Sequence, residues 1–214
     1  MLLTGFKRWT MAMVALCALA ASGVAHSAPK TVLVLGDSLS AEYGIARGAG
    51  WVALLEQKLK AARIDAAVAN ASISGETTSG GRTRLPALLR QYHPAVVVIE
   101  LGANDGLRGL PVAAASDNLA AMIQAAQANG AKVLLVGMRL PPNYGRAYTE
   151  SFAAMAPALA RRYKAGVVPF MFDGIALEPA NFQADRLHPL ATVHPAILNN
   201  IWPQLAPLLT SPKR

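Results

Sequence analysis

One cysteine, Cys17, stands among 214 residues, so no intrachain disulfide can form and a multi-cysteine metal site is excluded. Charged residues are scarce at 15% and aromatics at 6%, against 53% hydrophobic residues. That balance is too apolar for a disordered chain and argues for a packed globular domain. After residue 30 no run approaches the ~20 consecutive apolar residues of a membrane span, which excludes a multi-span membrane protein. Neither G-x-G-x-x-G nor the P-loop pattern occurs, so nothing recommends a nucleotide or flavin cradled by its phosphates.

What is present begins with a secretory leader. Lys7 and Arg8 precede an apolar run over residues 11–21, and Gly23, Ala25, Ser27 and Ala28 follow as small residues. Residues 1–28 are therefore expected to be a signal peptide cut between Ala25 and Pro29, delivering the protein to the periplasm or the exterior. Removal takes Cys17 with it and leaves a mature chain without a thiol. A single domain is expected over residues 29–214, with stability drawn from core packing.

Twenty Lys and Arg face twelve Asp and Glu, and the isoelectric point is near 10.0. The basic residues are scattered in ones and twos, as in Arg82/Arg84 and Arg161/Arg162, without the clustering that nucleic acid binding needs. No nucleic acid partner is expected. Contact with a membrane, if any, is expected to be peripheral, and the protein is expected to be a monomer.

From Lys30 onward, β-branched runs alternate with amphipathic stretches. Strands are predicted over 31–35, 64–69, 95–101, 132–137 and 167–170, with helices over 51–62, 84–91, 112–129, 147–164 and 192–209. The run Val96-Val97-Val98-Ile99 has no polar alternation, as expected of a strand covered on both faces. Five β-α repeats imply an α/β fold, a doubly wound parallel sheet of order 2-1-3-4-5. Ligands bind such sheets beyond the carboxyl ends of the strands, which directs attention to the loops after strands 1, 2 and 3.

The first of these loops reads Gly36-Asp37-Ser38-Leu39-Ser40. A serine hydroxyl becomes a nucleophile only when a histidine takes its proton; without such a partner the segment is a capping turn. Asp185-Arg186-Leu187-His188-Pro189 supplies a carboxylate three residues before a histidine, so a bent loop lets Asp185 orient the ring that serves Ser38. His194 is a rival base with no acid three or four residues before it, and His93 is expected at the wrong end of the sheet. Gly75, after strand 2, and Asn104, after strand 3, are candidate oxyanion donors. Leu107, Leu110, Pro111, Met138, Leu140, Pro141 and Tyr144 are candidates for contact with an acyl chain, or equally for loop packing. Residues 74–81, small and polar, are expected to form a mobile lip. The G-x-S-x-G elbow of the α/β-hydrolases is absent.

Ser38, Gly75, Asn104 and the Asp185/His188 pair occur in the order of the four blocks of the GDSL/SGNH hydrolase superfamily, which the chain resembles. The stretches VLGDSLSAEYGI, NASISGETT and ELGANDGLRG and the D-x-x-H-P ending are similar to its bacterial periplasmic thioesterase, protease and lysophospholipase group, over nearly the whole mature chain. The resemblance implies a three-layer α/β/α sandwich, with Ser38 as nucleophile, His188 as base and acid, and Asp185 as its orienter. It also implies an oxyanion hole from the Ser38 and Gly75 backbone N–H groups and the Asn104 side chain, with no metal or cofactor. The implied substrates are acyl esters, thioesters or lysophospholipids; an acetylated sugar is the alternative. Two departures from the usual pattern are Ala103, in place of a glycine, and Arg186, in place of a smaller residue.

Overall fold

A computed structural model describes residues 29–210; the expected leader with Cys17 and the last four residues lie outside the described residues. The elements run β1 (Lys30–Gly36), α1 (Trp51–Ala61), β2 (Ala66–Asn70), α2 (Thr78–Tyr92), β3 (Val96–Glu100), α3 (Ala103–Leu107), α4 (Val112–Ala128), β4 (Lys132–Val136), α5 (Arg146–Tyr163), β5 (Gly166–Val168) and α6 (His194–Thr210). All neighbouring strands are parallel, in the order β2-β1-β3-β4-β5. The sequence predicted this order.

Strand periodicity divides the core into two layers. Val32, Val34, Val96, Val98, Leu134 and Val136 face one side, against Trp51, Leu55 and Leu59 of α1 and Ile197, Ile201 and Leu205 of α6. Their alternating neighbours Leu33, Leu35, Val97, Ile99, Val133 and Leu135 face the other, against α2, α4 and α5 through Leu85, Leu89, Leu119, Met122 and Phe152. Because successive side chains of a strand point to opposite faces, a run with no polar residue needs helices on both sides. Each large side chain buried this way contributes about 1.5–3 kcal/mol relative to exposure.

β1 pairs with β2 on one edge and with β3 on the other, so the order reverses beside β1 and a crevice opens beyond its carboxyl end. The loops after β1, β2 and β3 meet there.

Four expectations need correction. α2 begins at Thr78, six residues before the predicted start, although Ser79-Gly80-Gly81 has poor helix propensity. Its first turn is held from outside: Asp105 accepts the Thr78 backbone N–H at 2.9 Å and the Thr78 hydroxyl at 2.6 Å, and Asn118 donates to that hydroxyl at 3.1 Å. The expected lip over 74–81 is therefore half helix, and its other half is tied by Arg84 to Glu76 (2.7 Å) and by Arg108 to the Gly75 carbonyl (3.0 Å). A short helix, α3, also occupies part of what was expected to be loop after β3, and the predicted fifth strand contracts to Gly166–Val168.

Candidate active site

β1 delivers Ser38 to the crevice through a tight turn in which the Asp37 carbonyl accepts the N–H groups of Ser40 and Ala41. Gly36 permits this close approach: a Cβ there would fall 2.8 Å from the Ser40 side chain and 2.9 Å from Glu100 Oε2. From the far end of the chain, Asp185 shapes its own loop. Its Oδ1 accepts the backbone N–H of Leu187 at 2.9 Å and of His188 at 3.0 Å, while Gln183 and His188 are joined by a backbone hydrogen bond of 2.8 Å. Asp185 Oδ2 then lies 2.6 Å from His188 Nδ1, and His188 Nε2 lies 2.9 Å from Ser38 Oγ. The carboxylate selects the tautomer with its proton on Nδ1, which leaves Nε2 free to accept from the serine. The Tyr43 ring rests on the imidazole with centroids 4.4 Å apart.

Partial loss of hydration opposes ionisation of Asp185, but the N–H groups of His188 and Leu187 and the adjacent imidazole outweigh it and hold the carboxyl at about 2. Asp185 is thus a carboxylate wherever the imidazole is neutral.

Gly75 and Asn104 both line the same cavity as Ser38 and His188. Gly75 adopts φ +79, and a Cβ on it would meet nothing closer than Arg108 at 4.0 Å; the position is set by backbone conformation and not by crowding. Among the described residues the backbone N–H groups of Ser38 and Gly75 have no protein acceptor, as suits donors waiting for an oxygen. Asn104 is different. Its Nδ2 donates to Asp37 Oδ2 at 3.0 Å and to the Glu76 carbonyl at 3.1 Å, so both hydrogens are engaged, and one must be shared or exchanged to reach an oxyanion. On the reading that the family resemblance implies, Asn104→Ala is expected to lower kcat on a soluble ester by about 10²–10³-fold with KM little changed, as steady-state rates will show.

Behind Ser38 lies a pair of carboxyl groups that sequence reasoning missed. Asp37 and Glu100 are both wholly buried. Glu100 Oε2 accepts the Ser40 hydroxyl at 2.8 Å and, more weakly, the Asp37 N–H at 3.4 Å, while Oε1 has no partner. Burial, and then the charge of Asp37, push Glu100 well above the usual carboxylate range. Burial also raises Asp37, to about 6, against the opposing effects of the Leu39 N–H, the Asn104 amide and His188. Both shifts are upward, so the folded state holds protons that the unfolded chain releases. Their stabilisation is complete below the ordinary carboxylate pKa and is lost as pH rises through the folded-state values. Glu100→Gln keeps the acceptor for Ser40 and cannot ionise. It is expected to raise the denaturation midpoint at pH 8 relative to wild type and to leave it nearly unchanged at pH 4.5, measured by urea unfolding. The sequence did carry a sign of this pair, an acid closing an otherwise apolar strand.

The cavity measures about 680 Å³ and its walls are mostly apolar. Of the predicted acyl contacts, Leu107, Met138, Leu140 and Pro141 line it. Leu110, Pro111 and Tyr144 do not: Leu110 is 40% exposed, Pro111 caps α4, and the Tyr144 hydroxyl donates to the Leu107 carbonyl at 2.9 Å. Tyr144 thus supports the wall from behind. The opposite wall went unpredicted, since Phe170, Phe172 and Phe182 come from the loop after β5, where no pattern in the sequence brings them to the serine.

His194 is a structural residue. It is buried, and its Nδ1 accepts the Trp51 backbone N–H at 3.0 Å at the start of α1; burial lowers its pKa, against a smaller opposing effect of Glu42. His93 ends α2 in a left-handed conformation just before β3, at the amino end of the sheet, as expected. Among the described residues no three His, Cys, Asp or Glu side chains group as metal ligands.

Comparison with known proteins agrees with this architecture. Residues 34–195 match the model of the GDSL-like Lipase/Acylhydrolase family. The chain is 51% identical to "Esterase TesA" of Pseudomonas aeruginosa over 184 residues, 86% of this chain and 92% of that protein. It is 43% identical to "Thioesterase 1/protease 1/lysophospholipase L1" of Escherichia coli, over 86% of each. Among solved structures, the psychrotrophic esterase EstA of Pseudoalteromonas, in a form inhibited by monoethylphosphonate, superposes with a TM-score of 0.80 at 41% identity, covering 85% of this chain and all of that one. With a parallel sheet of order 2-1-3-4-5, a serine at its switch point and relatives of this similarity over most of the chain, the protein belongs to the GDSL-like lipase/acylhydrolase family and is an ester hydrolase.

Proposed function

We propose that the chain hydrolyses acyl esters and thioesters through an acyl-enzyme on Ser38, with Asp185 and His188 as its proton-handling partners. The observation that carries this reading is the continuous series Asp185 Oδ2, His188 Nδ1, His188 Nε2 and Ser38 Oγ, joined at 2.6 and 2.9 Å on the wall of an apolar cavity. Ser38 Oγ attacks the acyl carbonyl as its proton passes to Nε2, and the Asp185 carboxylate stabilises the imidazolium. The N–H groups of Ser38 and Gly75, with the Asn104 amide, receive the negative oxygen. Collapse of the tetrahedral intermediate sends the Nε2 proton to the leaving alcohol or thiol. Water then enters, loses a proton to the same nitrogen and releases the acid, restoring the serine. No metal takes part in this sequence.

The relatives named for esterase, thioesterase, lysophospholipase and arylesterase activity support a substrate with an apolar acyl group and a variable leaving group. An acetylated sugar fits the walls less well, because Met138, Leu140, Phe170 and Phe172 offer it no hydrogen bonds. The leader expected over residues 1–28 supports action in the periplasm or outside the cell. Initial rates on p-nitrophenyl esters from acetate to palmitate, with chelator present, test the reading. Chelator-resistant hydrolysis with kcat/KM rising beyond acetate is expected. Activity confined to acetate would turn the assignment toward acetyl esters.

A further inference from the structure

The large hydrophobic side chains that stay in water share one location. Among the described residues they are Tyr43, Ile73, Leu110, Leu177, Leu187 and Leu190, from 38% to 97% exposed. Every one belongs to a loop that follows a β-strand: Tyr43 after β1, Ile73 after β2, Leu110 after β3 and its short helix, and the three others after β5. None lies on the outer face of a helix or at the amino end of the sheet. Tyr43, Leu177 and Leu187 line the cavity that holds Ser38, and Tyr43 touches His188. Leu177, at 97%, has gained nothing from folding.

Cations share this face. Arg139 and Arg186 line the cavity, and Arg47 and Arg108 are exposed on the loops after β1 and β3. Arg186 holds φ +57, a left-handed conformation that strains a long side chain, and among the described residues its guanidinium has no carboxylate partner. The acids of the same loops are largely engaged: Glu42 accepts the N–H groups of Gly48 and Gly50, Glu178 that of Ala180, and Asp185 the imidazole. Asp173 is the exposed acid on this face whose carboxylate makes no hydrogen bond among the described residues. An apolar rim of this kind marks an interaction surface, and interleaved arginines favour an anionic one.

We propose that this face docks the mouth of the active-site cavity onto an anionic lipid surface, the exposed leucines entering the headgroup boundary and the arginines meeting its phosphates. A single acyl chain then passes from the lipid layer into the cavity without crossing water. The proposal rests on the acyl-ester reading for its purpose, while its test reads binding alone.

The test uses Ser38→Ala protein, which leaves the lipid intact, sedimented with vesicles of phosphatidylcholine containing 30% phosphatidylglycerol or none. Binding is expected to the anionic vesicles, to weaken as salt rises, and to fall at least tenfold in Leu177→Asp. Arg63→Glu serves as control: it lies at the amino end of the sheet and removes more positive charge. It is expected to retain most of the binding. No binding to anionic vesicles, binding unaltered by Leu177→Asp, or equal losses in Leu177→Asp and Arg63→Glu would each overturn the docking face. Hydrolysis of soluble p-nitrophenyl esters by the unaltered protein reports separately on the esterase reading.

Discussion

Ser38→Ala is expected to lower kcat for p-nitrophenyl ester hydrolysis by about 10⁴–10⁶-fold, the loss seen when the nucleophile of a triad is removed. The substitution deletes one oxygen at a half-buried turn position whose backbone bonds, from Ser40 and Ala41 to the Asp37 carbonyl and from Tyr43 to the Ser38 carbonyl, do not involve that side chain. Folding should therefore be intact, as a wild-type denaturation midpoint will show. The remaining turnover is expected from the proposed oxyanion donors and from substrate positioning, which survive the change. Near-wild-type turnover by the folded variant would remove Ser38 from the mechanism and leave the Asp185–His188 pair without a client.

Asp185→Asn is expected to cost about 10³–10⁴-fold in kcat with a smaller effect on KM. Asp185 accepts three hydrogen bonds, two from backbone N–H groups on Oδ1 and one from the imidazole on Oδ2. An asparagine that keeps its oxygen on the backbone turns its NH2 toward Nδ1. The ring must then carry its proton on Nε2, where it cannot accept from Ser38. An asparagine turned the other way loses the two backbone bonds that shape the loop. Either orientation impairs the base, so the variant separates orientation from mere presence of the ring. The carboxyl is held at about 2, below its ordinary value. Its contribution to stability is therefore complete above the ordinary carboxylate pKa and lost only as pH falls toward 2. Over the working pH range Asp185 stays ionised, so its own protonation does not limit the rate. A folded Asp185→Asn protein with near-wild-type kcat would contradict this assignment.

Much of the fold was legible because its signals are local. The unbroken apolar runs of β1, β3 and β4 require cover on both faces, the amphipathic spacing of α1 appears in Val52, Leu55 and Leu59, and Gly130 after α4 is a helix stop at φ +77. With five β-α repeats, crossover handedness leaves few orders for the sheet. The residues that meet in the crevice were legible for a related reason, since Ser38, Gly75, Asn104 and Asp185 with His188 each sit in a short motif at the end of an element. Their meeting in space is an outcome of the parallel topology, which sends every such loop to the same edge.

What the sequence by itself determined, then, was the parallel sheet, its switch point and the residue types delivered there, because periodicity and turn chemistry act over a few neighbouring residues. Only the tertiary structure decided the features that depend on partners far apart in the chain. The first turn of α2, poor in helix formers, stands because Asp105, 27 residues on, accepts from Thr78. Glu100 reads as the end of a strand, yet packing places it, buried, beneath Ser40 from 60 residues away. His194 looks like a base and serves as an acceptor for Trp51, 143 residues earlier. The far wall of the cavity comes from Phe170, Phe172 and Phe182, and the rim of exposed apolar side chains from loops that are neighbours only in space. Burial and long-range hydrogen bonds are properties of the packed assembly, and a local pattern of residues does not name the partners that complete them.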